Sequence, residues 1–190
     1  ITGRIVAGEE ETKPGTTGIF TDTITDKHEW FQLRMIYNNN FKSLGPFTFG
    51  LYTDMFLSSQ PFFANYTATI LSTQGFEPIA HSKTIFLEKY KANNYIGMGL
   101  NTVLSLRSNL ELRLEGYLFQ PFQEIIQTPS LEAKYETAFA SRSGIASFAG
   151  IFHSPVGPVS VSVNYYENRD NQFSVLFHFG YIIFNRRALD

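Results

Sequence analysis

Residues 158–166 read PVSVSVNYY, and in this stretch apolar and polar side chains alternate one by one. Val159, Val161 and Val163 fall on one side of an extended chain. Ser160 and Ser162 fall on the other side. Successive side chains of a β-strand point to opposite faces, whereas those of a helix share a face every three to four residues. The stretch therefore predicts a β-strand with one apolar face and one polar face.

The same two-residue period recurs along most of the chain. Alternation is clear in residues 31–38, 47–55, 96–106, 109–119 and 173–184. It is weaker in residues 2–8, and residues 145–153 are apolar on both sides. No amphipathic helix of globular length is predicted, although residues 60–75 have room for a short one. The sequence therefore predicts an all-β fold of about eight strands, most of them about 9–14 residues long.

Composition excludes several classes of protein. The chain has 190 residues and a mean hydropathy of −0.11, and its apolar runs fall far short of the roughly 18 residues that a membrane-spanning helix needs. The 16% aromatic content is too high for a disordered chain. A net charge of −2 without a basic run argues against nucleic acid as a partner. Because there is no Cys and the four His lack metal-ligand spacing, we expect neither a metal site nor a cofactor.

Short and long connections alternate along the predicted strands. Short turns rich in Gly, Pro, Ser or Asn lie at 43–46, 107–109 and 154–158, and longer connections span 9–27, 58–91, 121–134 and 167–171. Transmembrane β-barrels of the bacterial outer membrane have this rhythm, with short periplasmic turns and longer external loops. We therefore predict an antiparallel transmembrane β-barrel in contact with outer-membrane lipid. The aromatic residues expected in an interfacial girdle near the strand ends are Phe41, Phe47, Tyr117, Phe119, Phe122, Tyr165 and Tyr166.

A soluble β-protein would show the same alternation. A β-sandwich, or a lipocalin-like barrel that binds an apolar ligand, also has one apolar and one polar side on each strand. The pattern establishes that two faces exist and leaves open which of them contacts water. The near absence of charged residues from the apolar side favours lipid.

The C-terminal third resembles a known group of outer-membrane barrels. Residues 152–162, FHSPVGPVSVS, are similar to the penultimate hairpin of the insertase and surface-antigen barrel superfamily. Residues 163–166 and 177–187 most resemble the barrel of patatin-like phospholipases of Bacteroidota. Such a protein joins a lipid hydrolase to a barrel of about sixteen strands. The resemblance implies that residues 1–190 are one domain, the C-terminal half of that barrel, and that Ile1 lies inside a longer chain.

The resemblance also implies a role as membrane anchor or translocator for a hydrolase domain outside this chain. The Gly-x-Ser-x-Gly motif of the patatin nucleophile is absent from the sequence, so no catalytic residue is expected here. The expected partners are the barrel assembly machinery and the rest of the barrel, or another chain, which pairs the open sheet edges. The alternatives are a complete eight-stranded barrel acting as a pore or adhesin, and an insertase-family barrel, although the Arg-Gly-aromatic motif of insertases is missing.

Three groups of residues are candidates for functional roles. Along one predicted strand, Glu111, Arg113 and Glu115 form a charge cluster on the polar face, where neighbouring charges shift one another's titration. A periplasmic hairpin turn is expected at Pro155, Val156, Gly157 and Pro158. The residues expected to form a C-terminal assembly signal are Phe179, Gly180, Tyr181, Ile183 and Phe184.

Overall fold

The structure is a computed structural model that describes residues 2–11, 27–63, 65–155 and 157–180, with side chains from Glu29 onward. Its one α-helix in these ranges is α1 (Tyr66–Ser72), and two 3-10 turns lie at His81–Lys83 and Glu88–Tyr90. The strands are β1 (Thr2–Glu11), β2 (Lys27–Leu44), β3 (Phe47–Ser58), β4 (Asn94–Arg107), β5 (Leu110–Pro121), β6 (Ile125–Gln127), β7 (Ala133–Tyr135), β8 (Ser143–Ser154), β9 (Gly157–Tyr166) and β10 (Phe173–Phe179).

Eight of these strands form one sheet, in the order β1-β2-β3-β4-β5-β8-β9-β10. All neighbours in it are antiparallel. Each strand pairs with the next one along the chain, except that the two-stranded β6–β7 hairpin is inserted between β5 and β8. Strands β1 and β10 are the two edges of the sheet. The prediction of an all-β, antiparallel fold is confirmed.

The strict alternation of short and long connections is also found in the structure. The turns between β2 and β3, β4 and β5, and β8 and β9 are short, and in an antiparallel sheet they lie at the same end. Gly45 closes the first of them with φ +60°, a backbone conformation that glycine adopts without steric cost. The longer connections between β3 and β4, β5 and β8, and β9 and β10 therefore start and finish at the opposite end of the sheet, which we call the long-connection end.

The short elements match the sequence less closely. A short helix within residues 60–75 is found as α1, whose first turn is capped by the Asn65 side chain accepting from the Ala68 N–H at 2.8 Å. The β6–β7 hairpin overlaps the predicted connection 121–134 and extends one residue beyond it, and its three-residue strands are too short to show a period. Of the predicted last strand 173–184, residues 173–179 form β10 and residues 181–184 lie outside the described part of the chain.

Burial alternates along the sheet and shows where the core lies. In β3, Tyr52, Asp54 and Phe56 are buried, whereas Met55 and Leu57 are exposed. The buried side of the sheet is covered by residues 59–63 and 65–93, which we call the inner segment. It contributes Phe76, Ile79, Leu87, Tyr90 and Ala92 to a core shared with the sheet. We call the two sides of the sheet the covered face and the apolar face.

Candidate functional site

The apolar face is exposed across the sheet. Leu100 is 60% exposed, Leu118 64% and Val175 69%, although each lies in the interior of a strand. Soluble monomers seldom expose a continuous apolar surface of this extent. The large apolar residues exposed on this face from β2 to β10 are Phe31, Met35, Leu44, Phe47, Met55, Leu57, Met98, Leu100, Leu114, Leu118, Phe148, Phe152, Val161, Val163, Phe173, Val175, Phe177 and Phe179.

Charged side chains of the apolar face lie at strand ends. From Glu29 onward, the described strands of the main sheet carry three charged residues on this face. Glu29 lies near the start of β2, and the pairing register places Lys42 opposite Phe49 and Arg107 opposite Leu110, both beside short turns. The strand interiors between these positions form an uncharged band.

The covered face carries the polar and charged strand residues. Arg34 donates to both carboxylate oxygens of Asp54, with Nε at 3.1 Å and Nη2 at 2.7 Å. The Asp54 side chain is fully buried, and the Tyr95 hydroxyl also donates to it at 3.2 Å. A carboxylate out of contact with water needs such partners. The sheet therefore buries an ion pair on one face while exposing leucines on the other.

Aromatic packing attaches the inner segment to the covered face. The Phe76 ring is fully buried and stacks on Phe119 with 5.6 Å between ring centroids. Its edge contacts involve Tyr95 at 6.0 Å and Tyr117 at 6.4 Å. A Cβ atom at Gly97 would overlap the Phe76 ring, so glycine provides the space that this ring fills.

Tyr90 attaches the inner segment to the part of the sheet formed by β8 and β9. Its ring is 1% exposed, and its hydroxyl lies 2.7 Å from the carbonyl oxygens of both Gly144 and Glu167. Burial, with the Glu167 charge nearby, raises the pKa of Tyr90 above the usual range. Tyr90 therefore stays protonated and serves as a hydrogen-bond donor.

His81 forms a second polar link between the inner segment and the sheet. Its Nδ1 atom lies 2.7 Å from the Tyr166 hydroxyl and 3.2 Å from the Ser174 hydroxyl. Burial, together with the positive charge of Arg169, lowers the pKa of His81 below its usual value. The neutral imidazole is thus the form that fits this position at neutral pH.

The predicted charge cluster lies on the covered face, in two separate pairs. Arg113 Nε is 4.0 Å from Glu115 Oε1, and Glu111 Oε1 is 3.5 Å from His153 Nε2. Arg113 and Glu115 line a cavity of about 460 Å³ beside Pro78, with asparagines from β2 and β4. The Arg113–Glu115 separation makes a long ion pair beside this cavity, in which each charge partly offsets the other.

The predicted hairpin turn joins β8 to β9. Ser154 pairs with Gly157, and the Ser154 hydroxyl donates to the Gly157 carbonyl at 2.6 Å. Gly157 has φ 150°, in the range that favours glycine. Pro155 lies in the turn, Pro158 pairs with His153 in the sheet, and Val156 lies outside the described residues.

Two residues of the predicted C-terminal signal are described. Phe179 is 53% exposed and pairs with Val159 at the end of β10. The Gly180 N–H donates to the Pro158 carbonyl at 2.8 Å and extends the pairing. Tyr181, Ile183 and Phe184 lie outside the described residues.

The predicted aromatic girdle is wrong for three of its residues. Tyr117, Phe119 and Tyr166 are at most 5% exposed and pack in the core on the covered face. The alternation itself contains the signal, because Tyr117 and Phe119 share the face of Glu115. Phe41, Phe47 and Phe122 are exposed, as a girdle requires, and Tyr165 is half-buried.

The described residues define an antiparallel β-protein with a covered polar face and an exposed apolar face that is uncharged in the strand interiors. They contain no group of three or more His, Cys, Asp or Glu placed to hold a metal ion. No helix in this part of the chain is long and apolar enough to span a membrane. Comparisons with protein-family models, with curated proteins and with solved structures find no match.

Proposed function

We propose that this chain is part of an outer-membrane β-barrel, with the apolar face against lipid and the covered face turned to the barrel interior. The exposed apolar face carries this proposal. A soluble barrel turns its leucines and valines inward, but here the Arg34–Asp54 pair is on the buried side while Leu100 and Leu118 are exposed. Contact with hydrocarbon removes the cost of leaving these side chains in water, about 25 cal/mol per Å² of apolar surface.

Strand length and the position of charged residues support the same orientation. Strands β3, β5 and β8 have 12 residues each and β4 has 14, which exceeds the roughly 9–11 residues that a tilted strand needs to cross a bilayer. Lys42 and Arg107 then reach the headgroup level at the short-turn end. The short turns face the periplasm and the longer connections face outward.

The inner segment favours an anchor over an open pore. Phe76, Tyr90 and Ala92 are at most 1% exposed against the covered face, so this segment occupies interior space that a wide channel would leave to water. Edge strands β1 and β10 need partners in lipid, because unpaired backbone groups are costly there. The rest of a larger barrel, or a second chain, supplies those partners, and the barrel assembly machinery inserts the product.

The cargo of the anchor is proposed from the resemblance of residues 163–166 and 177–187 to patatin-like phospholipase barrels. In this proposal the barrel holds a lipid-hydrolysing domain, encoded upstream of this chain, at the outer membrane. Sequencing the encoding gene tests it directly. A Gly-x-Ser-x-Gly motif upstream is expected, and its absence would exclude the phospholipase role while leaving the barrel proposal intact.

Flotation tests the membrane proposal. Full-length protein refolded with phosphatidylcholine vesicles is expected to float with them in a density gradient and to remain bound after alkaline carbonate washing. Without detergent or lipid it is expected to precipitate, because its apolar face then contacts water. A monodisperse, detergent-free protein that stays at the bottom of the gradient would instead support the soluble alternative that binds an apolar ligand.

A further inference from the structure

The turn that follows β7 places an exposed aromatic ring beside the end of β5. The Phe139 N–H donates to the Phe122 carbonyl at 2.7 Å. The two rings form an edge-to-face pair, with centroids 5.2 Å apart and an interplanar angle of 90°. Nevertheless, Phe139 is 63% exposed and Phe122 is 45% exposed.

This aromatic pair continues the apolar face towards the long-connection end. In β5, the apolar face contains Leu114, Leu118 and Gln120, and Phe122 follows directly after the strand, where its N–H donates to the Asn94 carbonyl at 2.8 Å. The Gln120 amide donates to the Ser141 carbonyl at 2.8 Å. This hydrogen bond attaches the turn around Phe139 to Gln120, a residue of the apolar face.

The backbone of Phe139 is strained. Its φ of +59° lies in the left-handed region, which is unfavourable for a bulky side chain. Burial does not compensate, since most of the ring is exposed. Aromatic rings are enriched at the boundary between lipid headgroups and acyl chains, where an exposed ring is favourable.

We propose that Phe139 and Phe122 insert together into the headgroup–acyl boundary of the membrane and attach the β5–β8 connection to the membrane surface. The partner is the lipid at the long-connection end of the apolar face. This inference rests on the proposed membrane function, and adds that a loop residue outside the main sheet contributes to lipid binding.

Spin labelling next to Phe139 tests the proposal. The chain has no Cys, so Ala140→Cys gives one labelling site within it and leaves Phe139 intact. In phosphatidylcholine vesicles, accessibility to oxygen and to a water-soluble nickel complex is expected to place the label at headgroup depth. Adding Phe139→Ser is expected to shift it towards water. Leu131→Ser is the matched control, because Leu131 is also 63% exposed and also has positive φ, at 65°.

The Leu131→Ser substitution is expected to leave the depth of the label unchanged. The Leu131 carbonyl accepts from the Tyr66 N–H at 2.9 Å, and this hydrogen bond attaches Leu131 to the inner segment. A label at Val161→Cys, in the middle of the apolar face, separates this inference from the membrane proposal. If the Val161 label lies in lipid while the Ala140 label lies in water with Phe139 intact, the inference is overturned. If both labels lie in water, the membrane proposal itself fails.

Discussion

At Gly97 the lack of a side chain lets the inner segment pack on the sheet. We predict that Gly97→Ala destabilises the protein by about 1–3 kcal/mol, the usual cost of an extra methyl group in a filled core. The new Cβ would overlap the Phe76 ring, which is fully buried and has little room to move. Urea unfolding in detergent micelles, followed by tryptophan fluorescence, measures the change.

Gly116→Ala is the matched control for this prediction. Gly116 lies on the neighbouring strand and faces outward, and a Cβ there would have no atom within 4 Å. Its replacement is expected to change stability by less than about 1 kcal/mol, because no atom must move and Ala restricts the unfolded chain. Equal destabilisation by both variants would contradict the packing of Phe76 against Gly97.

The face on which each strand residue lies could be predicted from the sequence, but its burial could not. The two-residue period places Arg113 and Leu114 on opposite faces, as found. It does not predict that Phe119 is 1% exposed, because that burial comes from Phe76, which lies outside the strands. The misassignment of Tyr117 and Phe119 follows from these missing contacts with Phe76, and that of Tyr166 from its contacts with His81 and Tyr90.

At the scale of elements, strand pairing was the most predictable feature and the inner segment the least. Alternating side chains and short Gly- or Pro-containing turns specify a meander locally. The inner segment has no period, and its contacts are distant in sequence, such as those of His81 with Tyr166 and Ser174. Only the folded sheet brings these groups together, so sequence patterns alone could not predict them.

The attachment of the inner segment is predicted to weaken in mild acid. His81 has a lowered pKa in the folded protein, relative to 6.5 in the unfolded chain. Above that value His81 is neutral in both states and its contribution to stability is complete. As the pH falls below it, the unfolded chain binds the proton first, so the free energy of unfolding declines until the pH reaches the folded-state pKa.

Urea unfolding at several pH values between about 7 and 5 measures this decline. The variant His81→Gln keeps a hydrogen-bonding side chain but does not titrate, so its stability is expected to fall less over this range. An equal decline in the two proteins would show that other groups cause the acid sensitivity.

At the scale of the whole molecule, the two faces of the sheet differ in their chemistry, and the proposed function places the apolar one against lipid. The apolar face is uncharged in its interior and exposed, whereas the covered face holds an ion pair, the inner segment and a polar cavity. Alternation predicted two faces with different chemistry. The inner segment packs on only one of these faces and leaves the other exposed. The structure therefore indicates which face is free to contact lipid, which alternation alone did not.

Spin labels on adjacent residues of β9 test the central claim most directly. Val161 is 46% exposed on the apolar face, and Ser162 is partly buried on the covered face. In the full-length protein reconstituted into vesicles, the Val161→Cys label is expected to collide readily with oxygen and rarely with a water-soluble nickel complex, since oxygen concentrates in hydrocarbon. The Ser162→Cys label is expected to be less accessible to oxygen than the Val161→Cys label. A Val161→Cys label that collides freely with the nickel complex in the vesicle-reconstituted protein would contradict the proposed orientation of the sheet.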